Sequence, residues 1–108
     1  IFRDWAKWCR HPEFFFSDPK VPEADRFSDV RIPVLSVGIS DDAWGTPQAV
    51  SALLDHFPNA KVEETWLTPH DNGDRPIGHN GFFRKTASEQ LWPKIADALI
   101  GRPQALAA

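Results

Sequence analysis

The sequence contains one cysteine and no methionine, and it has no signal-like N-terminus. Because Cys9 has no second cysteine to pair with, an intrachain disulfide and a thiolate metal cluster are both excluded. This cysteine usage fits a reducing compartment, and we expect a cytoplasmic protein. The chain begins with Ile1, and this start, together with the missing methionine, indicates that residue 1 is not the natural one. We therefore expect a fragment of a longer protein.

Long apolar runs and a strong excess of either charge are also absent. No run approaches the roughly 20 apolar residues that a helix needs to cross a bilayer. The net charge of −3 gives no electrostatic reason to expect nucleic acid or an anionic membrane as a partner. What is present is 42% apolar and 25% charged residues, with five Trp and eight Phe, in 108 residues. This composition predicts one small globular domain with a single core.

The aromatic residues are concentrated near the N-terminus. Residues 1–11 have Trp5, Trp8 and Cys9 at spacings of three and four, which predicts a helix with these side chains on one face. Three prolines then predict an irregular segment as far as residue 27. Such an aromatic stripe is typical of core packing, and the alternative interpretation is a cap that lines an apolar substrate pocket.

The middle of the chain has the pattern of a strand, a helix and a second strand. PVLSVGI, at residues 33–39, is a short apolar run typical of a buried parallel strand. Residues 47–57 predict a helix with a proline in its first turn and apolar residues at i, i+3, i+4 and i+7. KVEETWL, at residues 61–67, predicts the second strand. A βαβ unit implies a parallel sheet, so the predicted fold class is α/β.

The pattern near the C-terminus predicts one more helix. Pro93 would break the interior of a helix, so we place it in the first turn. Gly101 is typical of the position just after a helix ends. The apolar side of this helix is expected to consist of Ile95, Ala96, Leu99 and Ile100.

Three titratable residues follow the two predicted strands. Asp41 and Asp42 come directly after the first strand, and His79 lies in the loop after the second. Loops at the carboxyl ends of parallel strands meet at one edge of the sheet, so these side chains are expected to converge. A carboxylate that accepts the Nδ1 proton of an imidazole is the supporting half of a nucleophilic triad. The nucleophile is missing: residues 38–42 lack the second glycine of a GxSxG elbow, and we interpret Ser40 as a loop residue.

Longer stretches of the sequence resemble a known family. PVLSVGISDDAWGTPQAV, at residues 33–50, is similar to the acid-bearing strand and loop of the α/β-hydrolase superfamily. IGHNGFFR at residues 77–84, the LWP that follows it, and WxxWCRHPxFFF at residues 5–16 resemble a set of bacterial predicted α/β hydrolases with a GHxGFF histidine motif. The resemblance covers nearly the whole chain but only the C-terminal part of a family member. It implies that residues 1–27 are the end of a cap or lid and that residues 28–108 are the C-terminal part of the α/β-hydrolase core.

The resemblance also implies roles for individual residues. His79 would be the general base and Asp42 the acid that orients it, with Asp41 as the fallback acid. Trp44 and Phe82 are expected to line the substrate pocket. The implied activity is that of a serine-type esterase or acyl hydrolase that needs no cofactor and acts on a small ester-like substrate. Because the nucleophile is missing, the 108-residue chain alone is expected to be inactive.

Each of these residues also has a purely structural interpretation. Adjacent aspartates often only end a strand and cap the next helix, and a histidine such as His79 often bonds a backbone carbonyl. The alternative function is a noncatalytic α/β domain that binds a partner chain or an apolar ligand through its aromatic surface. His70, Asp71 and Asp74 lack the spacing of a calcium loop, so we interpret them as part of a solvated loop and expect no metal.

Overall fold

The computed structural model of the protein describes residues 1–101, which contain both helices and strands. In these residues the α-helices and strands follow in the order α1 (Phe2–Cys9), β1 (Val34–Ile39), α2 (Pro47–Leu54), β2 (Val62–Leu67), α3 (Gly78–Gly81) and α4 (Trp92–Leu99). Short 3₁₀ helices occupy Pro22–Asp29, Pro69–Asn72 and Lys85–Ala87. Within residues 1–101, every helix is too short or too polar to pass through a bilayer.

The strands β1 and β2 pair as a two-stranded parallel sheet. The Val34 N–H donates to the Lys61 carbonyl over 3.0 Å, and the Ser40 N–H donates to the Leu67 carbonyl over 2.9 Å. The pairing therefore advances in the same direction along both strands, as parallel strands require. The predicted parallel sheet is confirmed, and mixed helix and strand content agrees with the α/β class. A two-stranded parallel sheet is common to many α/β folds and does not distinguish one of them from another.

The chain forms two compact units, and each is described by itself. The segments are Ile1–Val34 and Ser51–Val62 for unit 1, and Leu35–Val50 and Glu63–Ala108 for unit 2. The division into a cap end over residues 1–27 and a hydrolase core over residues 28–108 stays a prediction. The last part of that core range, residues 102–108, lies outside the described residues.

Helix α1, in unit 1, confirms the helix predicted at the N-terminus. Trp8 packs edge-on against Phe14 and Phe15, with ring centroids 5.8 and 5.7 Å away. Trp5, in contrast, is 46% exposed, and Cys9 is exposed as well. The aromatic run that follows the helix covers Trp8 and leaves the rest of the predicted stripe open. Trp8 therefore packs against other rings while only partly buried, and the core-packing interpretation is wrong for Trp5 and Cys9.

Unit 1 also contains the end of α2 and the residues after it. The helix predicted over residues 47–57 ends at Leu54. The N–H groups of His56 and Phe57 bond carbonyls three residues back, which tightens the chain from a helix into turns. The His56 imidazole then stacks on the Phe16 ring, with centroids 3.3 Å apart. The residues just after α2 thus pack against the aromatic rings of this unit.

A small apolar core lies in unit 2. Its members are the buried residues Leu67, Ile77, Ala87 and Leu91, with Val37, Ile39, Phe82 and Ile95 packed against them. Trp66 of β2 lies so close to Gly38 of β1 that a Cβ atom at position 38 would collide with the indole. The core joins both strands to the segments around α3 and α4, and it fixes where the residues that follow the strands can lie.

Helix α4 has Pro93 in its first turn, as predicted. Gly101 follows its end with a φ of +85°, a left-handed conformation that favours glycine. The predicted apolar side of the helix is only partly correct. Ile95 packs against the core of unit 2, whereas Leu99 and Ile100 are 76% and 69% exposed. The difference arises because the small core reaches only the first half of α4.

Candidate active site

The residues that follow β1 and β2 lie at the same edge of the sheet. β1 ends at Ile39, and Asp41 and Asp42 come in the turn just after it. β2 ends at Leu67, and a 3₁₀ helix leads from there towards α3, which contains His79. Because the strands are parallel, both segments start from carboxyl ends, which is where α/β sheets bind ligands. The structure therefore brings together the three residues that the sequence singled out.

The central contact of the site joins Asp42 to His79. The imidazole Nδ1 lies 3.0 Å from Oδ2 and 3.1 Å from Oδ1 of a carboxylate 37 positions earlier. An ionised carboxylate can only accept, so the proton of this bond is on Nδ1 and the lone pair of the neutral ring is on Nε2. The Asp42 side chain is 10% exposed and that of His79 is 52% exposed. The carboxylate is thus largely shielded from water, while the imidazole is open to a reactant.

Backbone groups fix the Asp42 carboxylate. The Trp44 N–H donates to Oδ1 over 2.8 Å. Gly45 comes so close that a Cβ atom there would lie 2.8 Å from Oδ2, an approach that glycine permits. The hydrogen bond from His79 is the main reason that the pKa of Asp42 lies below its ordinary value, and the backbone bonds from Trp44 and Gly45 lower this pKa further. Asp42 is therefore negatively charged at neutral pH and can stabilise an imidazolium.

Asp41 has a different set of partners from its neighbour. Its Oδ1 accepts the Gly78 N–H over 3.0 Å, and its Oδ2 accepts the Ile77 N–H over 2.9 Å. These two bonds hold the pKa of Asp41 below its ordinary value. The hydrogen bonds of the His79 ring within the described residues go to Asp42 and not to Asp41. Asp41 thus ties the start of α3 to the turn after β1.

His79 lies in the four-residue helix α3, and not in the loop predicted after the second strand. Gly78 opens this helix with a φ of +65°, in the left-handed region that favours glycine. Phe82 follows the helix, and its carbonyl accepts the Trp92 Nε1–H over 2.6 Å. The turn that presents His79 is therefore held at its start by Asp41 and at its end by Trp92. These long-range bonds explain why the segment coils into a helical turn.

The two residues predicted to line a substrate pocket occupy different places. Trp44 is 71% exposed, and its ring centroid lies 5.1 Å from that of His79. Phe82 lines a cavity of about 290 Å³ whose wall also includes Asp42 and His79. The other residues in the wall are Val37, Ile39, Phe83 and Ile95. Trp44 contacts the imidazole but is not part of the wall of this cavity.

Sequence reasoning missed most of the cavity wall. Val37 and Ile39 are two positions apart in β1, so their side chains point to the same face, and strand alternation contains that signal. Phe83 comes from the segment after α3, and Ile95 comes from α4. No local spacing connects these two residues to β1. Only the tertiary packing of unit 2 brings them beside His79.

The described residues place no nucleophile in hydrogen-bond contact with His79. Ser40 lies exposed in the turn after β1. Unit 1 holds a serine–histidine pair that the sequence did not reveal, in which Ser17 Oγ lies 3.1 Å from His11 Nδ1. Both of these residues are exposed, and among residues 1–101 the His11 ring has no carboxylate partner. This pair therefore lacks the acid that Asp42 provides for His79.

The polar tract after β2 is more ordered than the solvated loop that the sequence predicted. Asp71 closes a capping box with Thr68 and also accepts the Lys94 Nζ over 2.8 Å. These bonds, first that from Lys94 and then that from Thr68, lower the pKa of Asp71 to about 2. His70 pairs with Asp74 at 3.2 Å. The described residues contain no group of three or more His, Cys, Asp or Glu side chains that could hold a metal ion.

Comparison of the chain with models of protein families, with curated proteins and with solved structures gave no match. The resemblance to α/β hydrolases therefore stays a prediction from sequence motifs. The geometry that bears on function is that of the Asp42–His79 pair, the turn that Asp41 anchors, and the cavity beside them.

Proposed function

We propose that this chain supplies the acid and the base of a serine-type α/β hydrolase that cleaves ester-like bonds. The observation that supports this most is the Asp42–His79 hydrogen bond of 3.0 Å between residues 37 positions apart. A carboxylate on Nδ1 leaves Nε2 available as a proton acceptor, which is what a triad requires of its histidine. The resemblance of the IGHNGFFR stretch around His79 to the histidine motif of α/β hydrolases supports the same function.

In the proposed reaction the nucleophile is a serine from outside these 108 residues. Its Oγ bonds to the carbonyl carbon of the ester while His79 Nε2 takes the hydroxyl proton. The tetrahedral intermediate then collapses, the leaving alcohol takes the proton back from Nε2, and an acyl-serine remains. A water molecule then attacks the acyl carbon while His79 accepts one of the water protons. When that proton passes to the serine oxygen, the carboxylic acid product is released and the free serine is restored.

Asp42 would act at each step in which the imidazole is charged. Its carboxylate fixes Nδ1 as the protonated nitrogen and stabilises the imidazolium that forms. Because the Asp42 side chain is only 10% exposed, water screens this attraction less than it would at the surface. Asp41 would act indirectly, because its bonds to Ile77 and Gly78 hold the backbone of α3 in place.

Ester hydrolysis by the protein that contains this chain together with its nucleophile tests the proposal. The His79→Ala substitution is expected to lower kcat/KM by about 10⁴-fold or more, since it removes the general base. The matched control is His70→Ala, which removes a more exposed imidazole of the same unit that pairs with Asp74. The control should change the rate by no more than about twofold. Near-normal turnover in the His79→Ala variant would exclude the proposed mechanism.

A noncatalytic α/β domain that binds a partner through its aromatic surface is the second candidate. The observation that favours it is the exposure of large apolar side chains, which include Phe2, Trp5, Trp44 and Phe83. The same hydrolysis assay separates the two functions. A binding domain predicts that neither His79→Ala nor Asp42→Asn alters any ester hydrolysis by the parent protein.

A further inference from the structure

The cavity beside His79 is mostly apolar. Its wall consists of Val37, Ile39, Phe82, Phe83 and Ile95, with Asp42 and His79 as the polar members. All of these residues belong to unit 2, so the cavity lies within one compact unit. An apolar wall offers water few hydrogen-bond partners, so an apolar group can replace that water favourably.

The cavity is open to solvent on one side, and its volume indicates the size of the group that it can enclose. It measures about 290 Å³, whereas an apolar protein cavity of about 150 Å³ is enough to bind benzene. One aromatic ring would therefore fill about half of the space and leave room for an attached ester group. Phe82 and Phe83 meet edge to face with centroids 5.3 Å apart, an arrangement that a third ring can extend.

The charge on Asp42 restricts the ligand further. The hydrogen bond from His79 holds the pKa of Asp42 below its ordinary value, so this carboxylate is ionised at neutral pH. Asp42 lines the same cavity as the apolar residues. A ligand with a negative charge of its own would be repelled across a space with few polar groups, whereas a neutral ester would not.

We infer that this cavity binds the ring of a small, uncharged ester that contains a single aromatic group, with the ester carbonyl next to His79. That this ester is a substrate, and not only a ligand, rests on the proposed function. Binding itself needs no nucleophile, because the cavity wall consists of residues of this chain.

Titration of the 108-residue chain with methyl benzoate, followed by NMR of methyl groups, tests the inference. Saturable shifts are expected for the methyl groups of Val37, Ile39 and Ile95. A ligand of about ten heavy atoms is expected to bind with a dissociation constant on the order of millimolar. Benzoate has the same ring and a negative charge, so it should bind at least roughly tenfold more weakly. Equal binding of benzoate, or shifts confined to other residues, contradicts the inference.

Two pairs of variants locate the binding. Ile95→Phe fills the cavity and should abolish the shifts in β1, whereas Leu99→Phe adds the same ring to an exposed position of α4 and should not. Phe83→Ala removes a wall residue that is 78% exposed, so the fold should survive while binding weakens several-fold. Phe2→Ala, at a position 75% exposed in unit 1, is its control. Unchanged binding in both Phe83→Ala and a folded Ile95→Phe variant overturns the inference.

The inference and the proposed function fail in different ways. If methyl benzoate does not bind the wild-type chain, the substrate class is wrong, although hydrolysis of other esters through His79 is unaffected by that result. If methyl benzoate binds as expected but His79→Ala leaves ester turnover unchanged, the ligand assignment stands and the hydrolase function is wrong.

Discussion

At the scale of single residues, two neighbouring aspartates have separate tasks. Asp42 bonds the side chain of His79, and Asp41 bonds the backbone N–H groups of Ile77 and Gly78. One carboxylate holds the imidazole proton, and the other holds the backbone to which the imidazole is attached. Sequence reasoning favoured Asp42 and kept Asp41 as a fallback. It could not separate them physically, because tertiary contacts decide which way each side chain points.

Under the proposed function, Asp42→Asn in the protein that also contains the nucleophile is expected to lower kcat for ester hydrolysis by about 10⁴-fold, because the neutral amide lacks the negative charge that stabilises the imidazolium. Asp41→Asn is the matched control at the adjacent position. It keeps one carbonyl acceptor for α3, so we expect a loss of about 1 kcal/mol in stability and a fall in kcat of about tenfold at most. Steady-state kinetics and urea unfolding of both variants check this. Greater kinetic damage from Asp41→Asn would reverse the assignment of the acid.

At the scale of elements, long-range contacts define α3. Helices of four residues are unstable by themselves in water, and this one is held by Asp41 at its start and by Trp92 just past its end. No local pattern could therefore predict it. β1 was predictable because an apolar run bounded by polar residues defines it, and β2 because strand alternation puts Val62 and Trp66 on one face. The start of α4 was predictable because Pro93 restricts where a helix can begin.

Gly78→Ala tests how far the presentation of His79 depends on the first residue of α3. Gly78 has a φ of +65°, so alanine is expected to cost about 1–2 kcal/mol of stability. The strain falls on the turn that holds the imidazole, so under the proposed function kcat for ester hydrolysis by the protein that contains the nucleophile should fall as well. Gly73 has the same φ of +65° and lies outside the site, so Gly73→Ala should cost similar stability without lowering kcat. Equal kcat in the two variants would mean that this turn does not position His79.

At the scale of the whole molecule, few of the apolar side chains in residues 1–101 are buried. Among the described residues the buried ones are Ala24, Leu67, Ile77, Ala87 and Leu91. Periodicity predicts which face of a helix is apolar but not whether another element covers that face. This is why Leu99, on the predicted apolar side of α4, is 76% exposed. The cavity wall could not be predicted for the same reason, since it depends on how distant segments pack.

The stability of the protein in acid is expected to depend on Asp71. The bonds from Lys94 and Thr68 lower its pKa from 3.8 to about 2 in the folded protein. A lowered folded-state pKa stabilises the protein fully above about pH 4, and this stabilisation is lost as the pH falls towards 2. Between pH 6 and pH 2 the wild type should therefore lose about 1–2 kcal/mol more of its unfolding free energy than Asp71→Asn does. Urea unfolding at pH 6 and pH 2 measures these losses, and Asp74→Asn, at an exposed position, is the control. Identical losses in the wild type and in Asp71→Asn would refute the role of Asp71.

The tautomer of His79 is the most direct test of the central claim, that Asp42 holds Nδ1–H and leaves Nε2 free to accept a proton. Heteronuclear NMR of the imidazole nitrogens in the 108-residue chain, at about pH 9 where imidazoles are neutral, reads the tautomer without any nucleophile. We expect the Nδ1–H form for His79. His11 is the internal control, because its Nδ1 accepts the Glu13 N–H and its proton should be on Nε2. An Nε2–H form of His79, or the tautomer mixture of free histidine, would contradict the account.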